Sequence, residues 1–154
     1  MLLAAVIISV LLVSALRLFG NIGRSRHLLA VQDASELLAL QMIEEIKGQN
    51  YHDPVVPDEF GPGADELGNR AAFDDIDDYH LWSVNPPQDR NGSPMNQYAD
   101  YTRSVTVRYV AADNFEQTVA QDEGFKEVVI TVAHAGKRLV RHKYVIADAP
   151  GFDQ

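Results

Sequence analysis

MLLAAVIISVLLVSALRLFGNIGRSRHLLAVQDASELLALQMIEEIK, residues 1–47, is the stretch whose reading decides the fold. It holds no proline, and its only glycines are Gly20 and Gly23. Met1 to Leu16 is apolar apart from Ser9 and Ser14, after which polar residues enter with helical spacing. One helix over this stretch would be roughly 70 Å long at 1.5 Å per residue, far beyond the usual ~11-residue helix. The rest of the chain is too small to cover it. Its first third therefore needs burial from outside, by a bilayer or by other subunits.

The second half of this helix is amphipathic. Val31, Ala34, Leu38, Met42 and Ile46 follow at three- and four-residue steps and share one stripe. Gln32, Asp33, Glu36 and Gln41 lie opposite. Lys47 and Gly48 give a basic last turn and a stop. Gly20 and Gly23 each cost about 1 kcal/mol against alanine inside a helix. They mark either a bend or the close approach of a neighbouring helix.

Residues 49–100 are rich in proline and glycine, and nine acids fall between Asp53 and Asp78 against the single base Arg70. So long a loop is uncommon unless packed or functional. Phe60, Phe73, Ile76, Tyr79, Leu81 and Trp82 supply anchors, so an ordered excursion is expected, with a helical turn near Phe73–Tyr79. Three strands follow. Thr102–Val110 alternates with period 2, and Phe125–Ala133 places Lys126, Val128, Ile130 and Val132 on one side. Lys137–Ala147 alternates likewise, with Ala135-Gly136 as the hairpin turn before it. Asp113–Gly124 reads as a polar connection.

The formal net charge is −9, and all of it lies beyond residue 47, because residues 1–47 carry four bases and four acids. An acidic globular part repels phosphate backbones and anionic membrane faces, so no nucleic-acid partner is expected. There is no cysteine, which removes disulfides, thiolate metal sites and cysteine nucleophiles. The five histidines form no His-x-x-x-His or His-Glu-x-x-His pair, and neither a Gly-x-Ser-x-Gly elbow nor a phosphate-cradling loop is found. The chain reads as a non-enzyme.

Asp74, Asp75, Asp77 and Asp78 form the densest carboxylate cluster. They are candidate oxygen ligands for calcium. The favoured reading is a metal-free turn, with Phe73, Ile76 and Tyr79 pinned to the sheet and the aspartates facing water. Trp82 with Tyr79 reads as a loop anchor rather than a carbohydrate-stacking platform.

Particular segments now point to a family. Leu37-Leu38-Ala39-Leu40-Gln41-Met42-Ile43-Glu44-Glu45-Ile46, followed by Tyr51-His52-Asp53-Pro54, resembles a run of minor pilins and pseudopilins. Phe73-Asp74-Asp75-Ile76-Asp77-Asp78-Tyr79-His80 resembles a segment of mannose-sensitive-haemagglutinin-type pilins and of planctomycete pilin-like proteins. Arg103-Ser104-Val105-Thr106-Val107 fits the strand after it. The whole resembles a type IV pilin.

The resemblance implies an α+β fold, with a long N-terminal helix packed on a C-terminal antiparallel β-sheet. It divides the chain into a transmembrane or filament-core half-helix, 1–23, and a globular part, 24–154. The globular part comprises helix 24–48, loop 49–100 and sheet 101–147. The start Met1-Leu2-Leu3-Ala4 resembles the run after the family's Phe-Thr-Leu-Ile/Val-Glu. A leader and about five residues then precede it, or the subunit lacks that glutamate.

The expected function is a structural subunit of an extracellular pilus-like filament, anchored in the cytoplasmic membrane before assembly into a homo-oligomer. Leu2, Leu3, Val6, Ile7, Val10, Leu11, Val13, Leu16 and Leu18 would form the helix bundle, with Gly20 and Gly23 as a hinge. The alternative is a monomeric membrane-anchored ligand-binding domain.

Overall fold

In a computed structural model, residues 2–64 and 66–148 are described. Within the helix, side chains are described at 12–14 and from 25 onward. Helix α1 runs Leu2–Lys47. Five strands follow: β1 (Ser83–Val84), β2 (Tyr101–Ala111), β3 (Asn114–Thr118), β4 (Phe125–His134) and β5 (Lys137–Ala147). Short 3-10 turns lie at Arg70–Ala72, Asp77–Tyr79 and Asn96–Tyr98. The sheet is antiparallel in the order β1-β2-β4-β5, with β3 folded back on the end of β2.

The chain forms two compact units, Met1–Ala34 and Ser35–Gln154. This corrects the expected fold. Among the described residues the structure is mostly sheet, and no long N-terminal helix lies packed on it. The single helix with described side chains, residues 25–47, enters the core only in its last turns. Ser35, Leu38, Ala39, Met42 and Ile46 are fully buried, whereas Val31 and Ala34, which opened the stripe in the sequence, are only partly covered. The physical reason is length. Strands of ten or eleven residues and the loop beside them can shelter only a few helical turns. The first unit, taken by itself, exposes Leu12, Val13, Leu28 and Leu29. Its backbone is helical through residues 19–24. The other proposed bundle residues, Leu2, Leu3, Val6, Ile7, Val10, Leu11, Leu16 and Leu18, lie outside the described side chains, as do the surroundings of Gly20 and Gly23. Among the described residues, no helix is long and apolar enough to cross a membrane.

The strand patterns appear as read. Val105, Val107, Val128, Ile130 and Val132 are buried, and Val105 faces Ile130 across the β2–β4 ladder. Lys126 and Arg103 stand in phase with them and are buried too. Ala135 and Gly136 both have positive φ, 48° and 76°. This suits a two-residue hairpin turn, whose twist matches that of the flanking strands. β5 ends the strand order and carries Lys137, Arg138, Arg141 and Lys143. Charges on an edge strand discourage pairing with another chain. β3, inside the segment read as a polar connection, is exposed at all five residues, so no buried face marks it in the sequence.

Candidate functional site

The ordered excursion 49–100 is held against the helix and sheet chiefly by polar groups. Asn50 pairs with the aspartate segment: its N–H donates to Asp74 O at 3.2 Å, and its O accepts from Ile76 N at 3.1 Å. Gln49 Nε2 donates to Phe73 O and Tyr79 Oη, both at 3.0 Å. Tyr79 Oη donates to Glu45 Oε1 at 2.9 Å. As expected, Phe73, Ile76 and Tyr79 are buried.

The aspartates do not face water as expected. Asp75, Asp77 and Asp78 are each at most 1 % exposed, and only Asp74 is partly open. The segment curls around its own carboxylates. Asp75 Oδ1 accepts the N–H groups of Asp77 and Asp78 at 2.7 and 3.1 Å. Asp78 Oδ2 accepts those of Asp74 and Asp75 at 2.9 and 3.0 Å. Such local bonds explain the run of aspartates in a turn, and burial follows because the bonds point the carboxyls inward. Asp77 Oδ2 also accepts from Gly61 N at 3.2 Å, and Asp77 Oδ1 is paired with Lys126 Nζ from β4.

The structure regroups the proposed ligands. Asp75 and Asp77 are taken up by backbone amides and Lys126. The oxygens that converge belong to Glu66, Asp74 and Asp78, with one from each lying within 4.8 Å of the others. Glu66 was missed in the sequence. It reaches the cluster because the loop doubles back, its Oε2 fixed by Gly63 N at 2.8 Å. That tertiary contact leaves no local motif. Burial, reinforced by the neighbouring Asp78 carboxylate, pushes Glu66 up to about 7. Burial and the charges of Asp77 and Asp78 push Asp75 up to about 8. Ionised together, these groups repel one another in a poorly solvated place.

A second buried polar group lies at the other side of the loop. Arg70 makes a two-pronged contact with Glu45, at 2.8 and 2.7 Å, and its Nε donates to Asp89 O at 2.8 Å. Arg103 donates to Leu38 O at 3.3 Å and to Gln88 O. Trp82 is covered by both guanidiniums, at 4.4 Å for Arg70 and 5.6 Å for Arg103. Tyr79 is buried and Trp82 half-buried, and both help to anchor the loop. Asp89 closes a turn of its own, its Oδ1 accepting Asn91 N and Ser93 N at 2.9 and 2.8 Å. His80 Nδ1 accepts Val107 N at 3.3 Å, so that nitrogen is already engaged.

No protein-family model, curated protein or solved structure matches this chain.

Proposed function

We propose that the protein is a structural subunit of a pilus-like extracellular filament, assembled through its N-terminal helix. One observation carries the reading. Helix α1 contributes residues 2–34 to the first unit, Met1–Ala34. Where its side chains there are described, large apolar ones stand exposed: Leu12 at 58 %, Val13 at 48 %, Leu28 at 60 % and Leu29 at 63 %. Apolar surface repeated along a helix calls for a partner, and the stretch 1–16 is more apolar still. Copies of the same helix meet that need in a bundle, after the subunit leaves the cytoplasmic membrane. The acidic sheet units then coat the filament at the cell surface. Gly20 and Gly23 are the proposed place for the helix to bend in the bundle.

Val10→Asp or Leu11→Asp should abolish filament assembly, because a carboxylate in an apolar helix bundle lacks a partner. Negative-stain imaging and sedimentation of sheared filaments would read this. Circular dichroism would show the sheet unit still folded. Wild-type levels of filament from either variant would refute the bundle.

A further inference from the structure

We propose that Glu66 and Asp78 form a proton-operated latch, which fastens Glu66 and its turn to the aspartate segment at acidic pH and lets go as the pH rises. The two carboxyls hydrogen-bond one another, side chain to side chain. A carboxylate offers acceptors only, so a bond between two carboxyls requires a proton on one of them. Both groups are shielded from water, Glu66 at 5 % exposure and Asp78 at 1 %. The backbone also holds each of them. Gly63 N donates to Glu66 Oε2 at 2.8 Å, and the N–H groups of Asp74 and Asp75 donate to Asp78 Oδ2 at 2.9 and 3.0 Å. Neither carboxyl can turn away to water without giving up these bonds.

The surrounding charges favour the proton. Asp74 brings a third carboxyl oxygen within 4.8 Å, and its charge acts on Glu66 together with that of Asp78. Asp75 and Asp77 stand on the same segment, and Asp77 and Asp78 act on Asp75 in turn. Among the described residues, the cation acting on these aspartates is Lys126 of β4, which is engaged with Asp77 Oδ1 and Tyr51 O. Two ionised carboxyls so close and so poorly solvated repel one another, and the proton belongs to the pair rather than to either member.

Burial first, and then the Asp78 and Asp74 carboxyls, raise Glu66 from its ordinary 4.5 to about 7, against the opposing bond from Gly63. The folded chain therefore keeps a proton that the unfolded chain has already released. The stabilisation from the latch is complete below about pH 4.5, fades as the pH climbs, and is gone above about 7. Gly61 and Arg70, on either side of Glu66 in the chain, are held by Asp77 and Glu45. Opening the contact thus detaches Glu66 from the aspartates and leaves the sheet unit folded.

The test compares the full-length chain with Glu66→Gln. The amide keeps an oxygen for Gly63 N and presents an N–H to Asp78 at every pH, so the contact no longer needs a proton. Wild type should weaken as the pH rises from 5 to 7 in urea unfolding followed by circular dichroism. Over those two units the rise in its unfolding constant should exceed that of Glu66→Gln by about a hundredfold, tenfold for each unit. Asp75 titrates in both proteins and so drops out of the comparison. The Gly63 amide signal in nuclear magnetic resonance spectra should titrate with a midpoint near 7 in wild type and lose that step in the variant. Asp113→Asn, an exposed acid of the β2–β3 turn, should follow wild type in both measurements. Two results would overturn the latch: the same pH dependence in wild type and Glu66→Gln, or a wild-type Gly63 signal that titrates only near the ordinary carboxylate range. Should the variant fail to fold, the Gly63 titration of the wild type decides by itself.

Discussion

Lys126→Met should lower the unfolding free energy by about 3–5 kcal/mol, the usual cost of removing one partner of a buried ion pair. Lys126 and Asp77 are each 1 % exposed at the side chain, so water cannot take over the lost contact. Lys126 also donates to Tyr51 O and stands over the Tyr51 ring at 4.4 Å. One ammonium therefore joins three parts of the chain: the turn after the helix, the aspartate segment and β4. Methionine fills much of the same volume but leaves Asp77 charged, with only Gly61 N donating to its carboxylate from outside the segment. The double variant Lys126→Met, Asp77→Asn should recover a large part of the loss, because no charge is left unpaired. Urea unfolding followed by circular dichroism measures all three. A single-variant cost below about 1 kcal/mol, typical of exposed pairs, would mean that the pair does not hold the loop.

Glu45→Ala should be nearly as damaging, again about 3–5 kcal/mol. Glu45 is the carboxylate facing two buried guanidiniums. It bonds Arg70 directly and lies close enough to Arg103 to favour its charged form. Arg103 is already held down at about 10, first by burial and next by Arg70, so losing Glu45 leaves two like charges facing each other. Tyr79 Oη loses its acceptor in the same step. Glu45→Gln keeps one oxygen for these donors and should cost less, about 1–3 kcal/mol. Trp82, the sole tryptophan, lies under Arg70 and so reports the event. Its emission should shift in the folded Ala variant. A Glu45→Ala protein within about 1 kcal/mol of wild type, with unchanged emission, would mean that the buried arginines are balanced elsewhere.

The strands were legible because β-structure writes a period of two into the sequence. Lys126 kept phase with Val128, Ile130 and Val132, and Arg103 with Val105 and Val107, so their inward direction could be read before any partner was known. Their partners could not. Asp77 is 49 residues from Lys126 in the chain, and Leu38 is 65 from Arg103. The extent of helix packing was misread because Val31 and Ala34 continue the apolar stripe, although the core begins at Ser35. Periodicity gives the face of a helix, but the size of its neighbour decides how much of that face is covered. The aspartates read as facing water because Phe73, Ile76 and Tyr79, three residues apart, take the packed side of a turn and leave the mutually repelling carboxylates outside. In the folded loop, backbone N–H groups and Lys126 outweigh that repulsion for Asp75 and Asp77, and Glu66 joins the others through a fold of the loop with no local signature.

The two-residue turn at Ala135 and Gly136 also bears on the order in which the molecule is made. β4 and β5 meet across a connection of two residues, so their pairing closes almost no chain. The Lys126 contacts instead span 49 and 75 residues. Contacts so distant in sequence carry the larger loss of chain entropy and slow the search. The hairpin is thus the natural nucleus, with β2 joining it before the acidic loop. Lys126, already placed on that hairpin, waits as the post to which the last and longest loop is fastened.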